Sequence, residues 1–385
     1  MDEATASTPY RPEDVTTSWL TDQLRREGVL SSGLVANFTV DEMTPGQGRA
    51  AHVTRLTLEY DGVTDDAPAT LIAKFPTTFH TTRNLARLFH LYHREYGFYT
   101  DVADNAGPPT PHLYGASLDE RTGDFVLLLE DISPAKEGDL ATGCSLEQAA
   151  TVVDTLARMH ARWWDSPELT QLSWLPLPNY VTNLEYEGAD ARDPWSKFLA
   201  QTGDRLPAPL LSLCRKLRRD QSVLERLATP PLTLVHGDLN IQNVMFSPDP
   251  DHEIRALIDW QTAVRGRGPM DIASLFASSL DPADRRTAEA ELLPAYHQIL
   301  TDNGVRGYSF DECWRDYRLA IVNRFSQIVF LSSVLETENK VEDHVGAVTG
   351  LRLAAALIEL DVTSLIPSQS LWESSLARIR GAIRA

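Results

Sequence analysis

Three oxygen-bearing side chains in two short blocks have the types and spacing for chemistry. In His236-Gly-Asp-Leu-Asn-Ile-Gln-Asn243, Asp238 precedes Asn243 by five residues, and the apolar runs LTLV and VMF flank the block. In Ala-Leu-Ile-Asp259-Trp a second carboxylate closes another β-like run, 21 residues after Asp238. Apolar strands that end in polar acceptors place them at the rim of a buried sheet, facing a cleft. Asn243 and Asp259 are oxygen ligands on adjacent strands. They suit Mg²⁺, which completes its shell with nucleotide oxygens. Asp238, outside that shell, is placed to accept a proton from a hydroxyl nucleophile. That division of labour belongs to phosphoryl transfer. His236 and Asp238 look like a metal pair, but no His, Asp or Glu cluster in hydrolase spacing accompanies them. His236 therefore reads as a hydrogen-bonded structural residue. Asp271 follows a proline at a helix start, where an N-terminal capping role fits.

These blocks need elements to hold them. Residues 35–43 and 52–60 read as two strands around the glycine turn TPGQGRAA, and ATLIAKF (69–75) reads as a third. Residues 83–103 space Leu85, Leu88, Leu91, Tyr92, Tyr96 and Tyr99 at helical intervals, and HLYGAS and DFVLLLED add two strands. After Asp131 the pattern turns helical. Ser145-Leu-Glu-Gln148 is a capping box that opens a helix through Trp164, with His160 and Trp163 on its apolar stripe. Further helices are expected over 208–228, 284–301, 310–337, 345–360 and 370–384, interrupted by the β segment 232–260 that carries the chemistry.

HGDLNIQNVMF followed by LIDWQTAVRGRGPMDIA resembles the catalytic and metal-binding segments of the aminoglycoside phosphotransferase/choline kinase-like superfamily. The resemblance extends to Lys74 on the third strand, Glu95 on the helix, the LLLED hinge and LARMHARWW (156–164). It implies an α+β, bilobal protein-kinase-like fold. Residues 1–131 form a small antiparallel sheet lobe with one helix that binds nucleotide, and residues 132–385 a larger, mainly helical catalytic and substrate lobe. The implied activity is ATP-dependent transfer of the γ-phosphoryl group to a hydroxyl of a small molecule, with Asp238 as base and Mg²⁺ on Asn243 and Asp259. The rival is a nucleotide-binding, pseudokinase-like module that transfers nothing. Asp271 would brace the catalytic loop.

The residues support the implied site piece by piece. No Asp or Glu lies between 75 and 94, so Glu95 is the first acid along the chain that can hold Lys74, one of only five lysines. Gly46 and Gly48 sit between two strands, where backbone N–H groups can cover phosphates or simply make a hairpin turn. The third glycine of the kinase pattern is missing, and Ala51 stiffens the loop. At Glu130 and Ile132 the resemblance implies main-chain bonds to adenine; the plain alternative is a strand ending in a turn.

Charge narrows the partners. The chain has 385 residues, with 35 basic and 54 acidic side chains and a net charge of −19. That sign disfavours nucleic acid and anionic membrane surfaces. The excess is not confined to a tail: residues 1–131 carry 20 acids and 10 bases, and the remainder 34 and 25. Cys144, Cys214 and Cys313 make no paired or metal spacing, and no apolar run spans a membrane, so a reduced cytoplasm is expected. Two acidic runs, Glu185/Glu187/Asp190/Asp193 and Glu336/Glu338/Glu342/Asp343, are solvated surface or a pocket for a cationic substrate. Trp174 and Trp195 are candidates for an aromatic wall. Because the second lobe is the less acidic by density, the expected acceptor is neutral or weakly charged. Oligomeric state and the choice between ATP and GTP leave no mark on the sequence.

Overall fold

A computed structural model of the chain describes residues 8–43, 50–62, 67–178, 193–219, 221–248, 253–334 and 340–366. Gly46, Gly48, the acids 185–190, the side chains of the 336–343 run and the helix expected over 370–384 lie outside the described residues.

The chain opens with α1 (Thr17–Arg26), capped by the Thr16 hydroxyl accepting from Trp19 N. Then come β1 (Leu34–Glu42), β2 (Ala51–Asp61), β3 (Thr70–Pro76), α2 (His80–Leu88), α3 (Leu91–Gly97), β4 (Leu113–Asp119) and β5 (Asp124–Glu130). The five strands form one antiparallel sheet in the order β1-β2-β3-β5-β4. Alternation along β3 decides where its lysine points. Leu71, Ala73 and Phe75 face a core shared with Leu20 and Leu24 of α1 and with Val126 and Leu128 of β5. Lys74, one residue out of phase, therefore faces the opposite side, where α3 packs.

The described part of that region departs from the periodicity in two ways. The helix α1, which covers the back of the sheet, adds to the one helix expected there. The single helix expected over 83–103 is divided: His90, at φ 54°, takes a left-handed conformation between α2 and α3. After α3 the backbone widens into a π-turn, Phe98–Val102. The break lets α3 lie across the sheet independently of α2. Tyr92 stacks on Phe125 (centroids 4.7 Å), and its hydroxyl donates to Ala50 O at 2.7 Å.

The rest is mainly helical: β6 (Lys136–Glu137), α4 (Leu146–Arg162), α5 (Pro194–Thr202), α6 (Ala208–Arg219), β7 (Thr233–Val235), β8 (Val244–Phe246), β9 (Ile254–Leu257), β10 (Val264–Gly266), α7 (Pro269–Ser279), α8 (Pro282–Asp302), α9 (Phe310–Val334) and α10 (Lys340–Glu359). The capping box at α4 forms as read, with Ser145 and Gln148 bonding reciprocally. The run expected as one helix over 208–228 is α6 followed by a 3₁₀ turn, Ser222–Ala228. Small sheets β10-β7 and β6-β8-β9 carry the two polar blocks into a core built from α4, α7, α8 and α9. Together the layers make an α+β, bilobal, kinase-like architecture. Among the described residues no helix is long and apolar enough to cross a membrane.

Candidate active site

Lys74 is the centre of the arrangement. Its ammonium donates to Glu95 Oε1 at 2.6 Å and, across 185 positions of sequence, to Asp259 Oδ1. Both Lys74 and Glu95 are buried. Burial alone would depress the Lys74 pKa, but Asp259 and Glu95 outweigh it and hold the ammonium above its usual value. Burial pushes the Glu95 carboxyl up to about 7, against the pull of Lys74 and with the repulsion of Asp259. One ammonium between two carboxylates leaves one negative charge over. As pH falls, the more deeply buried acid takes the proton.

Asp259 follows β9 in the left-handed region (φ 65°, ψ 51°), which a non-glycine residue adopts only under local constraint. The constraint is visible. Trp260 is fully buried, stacks on Phe98 (centroids 3.9 Å, planes 6° apart) and donates Nε1–H to Leu257 O at 3.0 Å. The turn after α3 thus grips the residue beside Asp259, tying helix and metal-block loop together.

The Asp238 loop is held from below by Asp271. Asp271 Oδ2 accepts from His236 N (2.8 Å) and Oδ1 from Gly237 N (2.9 Å), while His160 Nε2 lies 3.3 Å from Oδ2. Asp271 does not cap its own helix: Gly268 occupies the N-cap of α7, and the fully buried carboxylate turns inward to the loop. His236 is buried, and its Nε2 bonds Ile258 O at 2.8 Å, joining the two blocks. Thr262 adds a hydroxyl bond to His236 O at 3.0 Å, and Ile258 N donates to Asn243 O at 3.0 Å. His160 is fully buried and also meets the Tyr296 hydroxyl at 2.9 Å.

Asn243 donates its amide N–H to Asp238 O at 2.9 Å, which turns its amide oxygen to the other side of the group. An amide oxygen and the Asp259 carboxylate are hard donors fit for Mg²⁺. Among the described residues no cluster of three or more His, Cys, Asp or Glu could hold a metal. A Mg²⁺ on such a pair would fill the rest of its shell with oxygens of water or ligand. The Asp238 side chain is 35% exposed and pairs with Arg324 of α9, whose Nη2 comes within 2.5 Å of Oδ1. No motif announces Arg324. It lies 86 residues beyond Asp238 in a helical run, and only the packing of α9 brings it here.

The end of β5 sits beside the sheet's edge. Glu130 N donates to His112 O at 2.8 Å, Ile132 O closes a turn with Ala135 N at 3.1 Å, and Arg55 pins Asp131 at 2.7 Å. Of the two tryptophans of the expected wall, Trp195 goes into the core, while Trp174 is half-buried and lines a surface cavity with Tyr96 and Gly97. Trp195 is buried against Phe325 (5.6 Å). Trp174 lies so close over Gly97 that a Cβ there would sit 2.5 Å from its ring, and it donates Nε1–H to Asp101 at 2.8 Å. Asp193, the one described member of the first acidic run, caps α5 through Ser196 N at 2.9 Å and pairs with Arg218.

The model of the phosphotransferase enzyme family matches residues 62–308, more than half of the chain. No curated protein matches it in sequence. Among solved structures, it is similar to the GDP complex of wild-type aminoglycoside 2′-phosphotransferase-IIIa, at 12% identity over 88% of this chain and 99% of that one, with a TM-score of 0.46. The macrolide 2′-phosphotransferase MphH from Brachybacterium faecium, as apoenzyme, is 15% identical over 84% and 100%, with a TM-score of 0.43. The Plasmodium vivax ethanolamine kinase is 12% identical over 83% and 81%, with a TM-score of 0.46.

Proposed function

The chain belongs to the phosphotransferase enzyme family, and from that premise we propose that it transfers the γ-phosphoryl group of ATP to a hydroxyl of a small molecule. The observation that carries the proposal is the buried Lys74 held between Glu95 and Asp259. A lysine is stabilised there as a cation at the place where a nucleotide's phosphates would gather charge. We assign residues 1–131 to the nucleotide lobe and 132–385 to the catalytic and acceptor lobe.

The roles follow from the chemistry of each group. Asp238 orients the acceptor hydroxyl and takes its proton. Lys74, fixed by Glu95, neutralises charge on the phosphates, and positioning and electrostatics supply most of the rate. Asn243 and Asp259 would hold Mg²⁺, which supplies positive charge to the phosphate oxygens when bound. The main chain of Glu130 and Ile132 is assigned to adenine, and Gly46 and Gly48 to the phosphates. Asp271 holds the Asp238 loop still through the His236 and Gly237 amides. The acceptor is a neutral or weakly charged hydroxylated compound.

The test is an ATP-consumption screen over hydroxylated metabolites and antibiotics, with Asp238→Ala as the blank. Asp238→Ala should abolish turnover and spare nucleotide binding, whereas Asp259→Ala should lose metal–nucleotide affinity. Wild-type turnover by Asp238→Ala sinks the assignment of the base. Mg·ATP binding without any turnover would instead establish the silent, pseudokinase-like module. A KM for the acceptor that climbs steeply with salt while that for ATP does not would show a polycationic acceptor and overturn its assigned charge.

A further inference from the structure

Arg324 stands beside the proposed base and belongs to none of the motifs. The ion pair of Nη2 with Asp238 Oδ1 spans 2.5 Å, and the Arg324 side chain is only 20% exposed. Oδ1 itself is buried, so the exposure of Asp238 falls on the rest of its carboxylate, where a hydroxyl can approach. Arg324 Nε is also buried and has no hydrogen-bond partner among the described residues. The guanidinium is therefore engaged through Nη2, and the exposed fifth of the side chain leaves part of the group open. A guanidinium presents its donors in a planar fork that matches a carboxylate or phosphate.

Packing fixes the group in place. The next residue, Phe325, lies edge-on to Trp195 at 5.6 Å and to Phe198 at 5.8 Å. One and a half turns further along α9, Phe330 meets Phe89 at 5.6 Å. The helix is thus anchored at and beyond Arg324, against α5 and against the corner between α2 and α3.

The described carboxylates of the site are meanwhile committed. Glu95 and Asp259 share Lys74. Both oxygens of Asp271 accept from the catalytic loop. Asp238 faces Arg324. An ammonium entering beside Asp238 would approach the Arg324 guanidinium as well, and like charges at such range repel.

We propose that Arg324 is an acceptor-binding residue, and that the acceptor is a hydroxylated compound carrying an oxyanion, a carboxylate or a phosphate, close to the reacting hydroxyl. This rests on the phosphotransfer reading above and replaces its neutral or weakly charged acceptor with an anionic one. The oxyanion takes the exposed part of the guanidinium while Asp238 keeps Nη2. One cation then orients both base and substrate, and amines are turned away.

The experiment uses the full chain with Mg²⁺ and ATP, following ADP release over four matched sets of probes. These are sugar acids such as gluconate, sugar phosphates, neutral sugars and polyols, and amino alcohols with an aminoglycoside. At least one oxyanion set should be turned over, and which one distinguishes carboxylate from phosphate. Arg324→Ala should raise the acceptor KM roughly 100-fold, the size of a lost charged hydrogen-bond pair, with the KM for ATP unchanged. Arg324→Lys, which keeps charge but not the fork, should fall between, and it also serves if the alanine variant does not fold. The inference is overturned if turnover is confined to neutral or cationic probes, if no oxyanion probe is turned over while Mg·ATP still binds, or if the KM for the oxyanion is the same in both variants and the wild type. Loss of Mg·ATP binding by the wild-type chain would overturn the underlying phosphotransfer reading instead.

Discussion

Replacing Glu95 by glutamine should stabilise the protein at alkaline pH while weakening its hold on nucleotide. The carboxyl is buried and its pKa is raised from 4.5 to about 7. Between those values the folded chain binds a proton that the unfolded chain has released. The stabilising contribution is therefore complete below about pH 4.5 and is lost as pH rises through 7. Such a rise corresponds to about 3 kcal/mol, most of which disappears between pH 5 and pH 8. Glutamine imitates the protonated acid at every pH. Denaturant unfolding of both proteins should give near-equal stability at pH 5 and an advantage of about 2–3 kcal/mol for Glu95→Gln at pH 8. Nucleotide affinity at pH 8 should move the other way, by about tenfold, because Lys74 keeps only Asp259 as an anchor. Comparing the two proteins cancels every other titrating group. Parallel stability profiles from pH 5 to pH 8 would refute the reasoning, since Glu95 would then titrate alike in both states.

Other perturbations probe the scaffold of the site. Gly237 has φ +86°, and a Cβ there would run into the Thr262 carbonyl oxygen, so Gly237→Ala should cost about 2 kcal/mol or more in thermal unfolding and depress kcat by displacing Asp238. Asp271→Ala strands the buried His236 amide and frees that of Gly237; a loss of about 3 kcal/mol is expected by urea unfolding, with kcat falling more than the KM for ATP rises. Trp260→Ala empties the stack on Phe98 and should cost about 3–5 kcal/mol by the same measurement. A loss below about 1 kcal/mol would mean that the loop carrying Asp259 is held by other contacts.

Period-two and period-3.6 patterns told which stretches would be strands and helices, and the capping box located the start of α4 to the residue. The partner of Lys74 was legible by elimination, because no acid intervenes before Glu95. The two polar blocks showed their chemistry through residue type alone. Such signals are local: they depend on what one strand or one turn must bury and on which side chains can carry charge.

What covers each buried face is not a local property. Helix α1 lies behind the sheet because Leu20 and Leu24 meet the apolar side of β3 and β5, a contact no window of sequence contains. Asp271 follows a proline at a helix start, yet its carboxylate turns to another loop, since complete burial leaves the amides of His236 and Gly237 as its donors. Trp195, suited by type to a binding wall, went into packing on Phe325. The sequence by itself determined most of the elements and pointed to candidate reacting groups and the kind of cation they would suit. Tertiary structure alone decided that Lys74 would meet Asp259 and that Arg324 would stand over Asp238. Those pairs form between residues 185 and 86 positions apart, because the cores on either side of the sheet and around α9 close in one way.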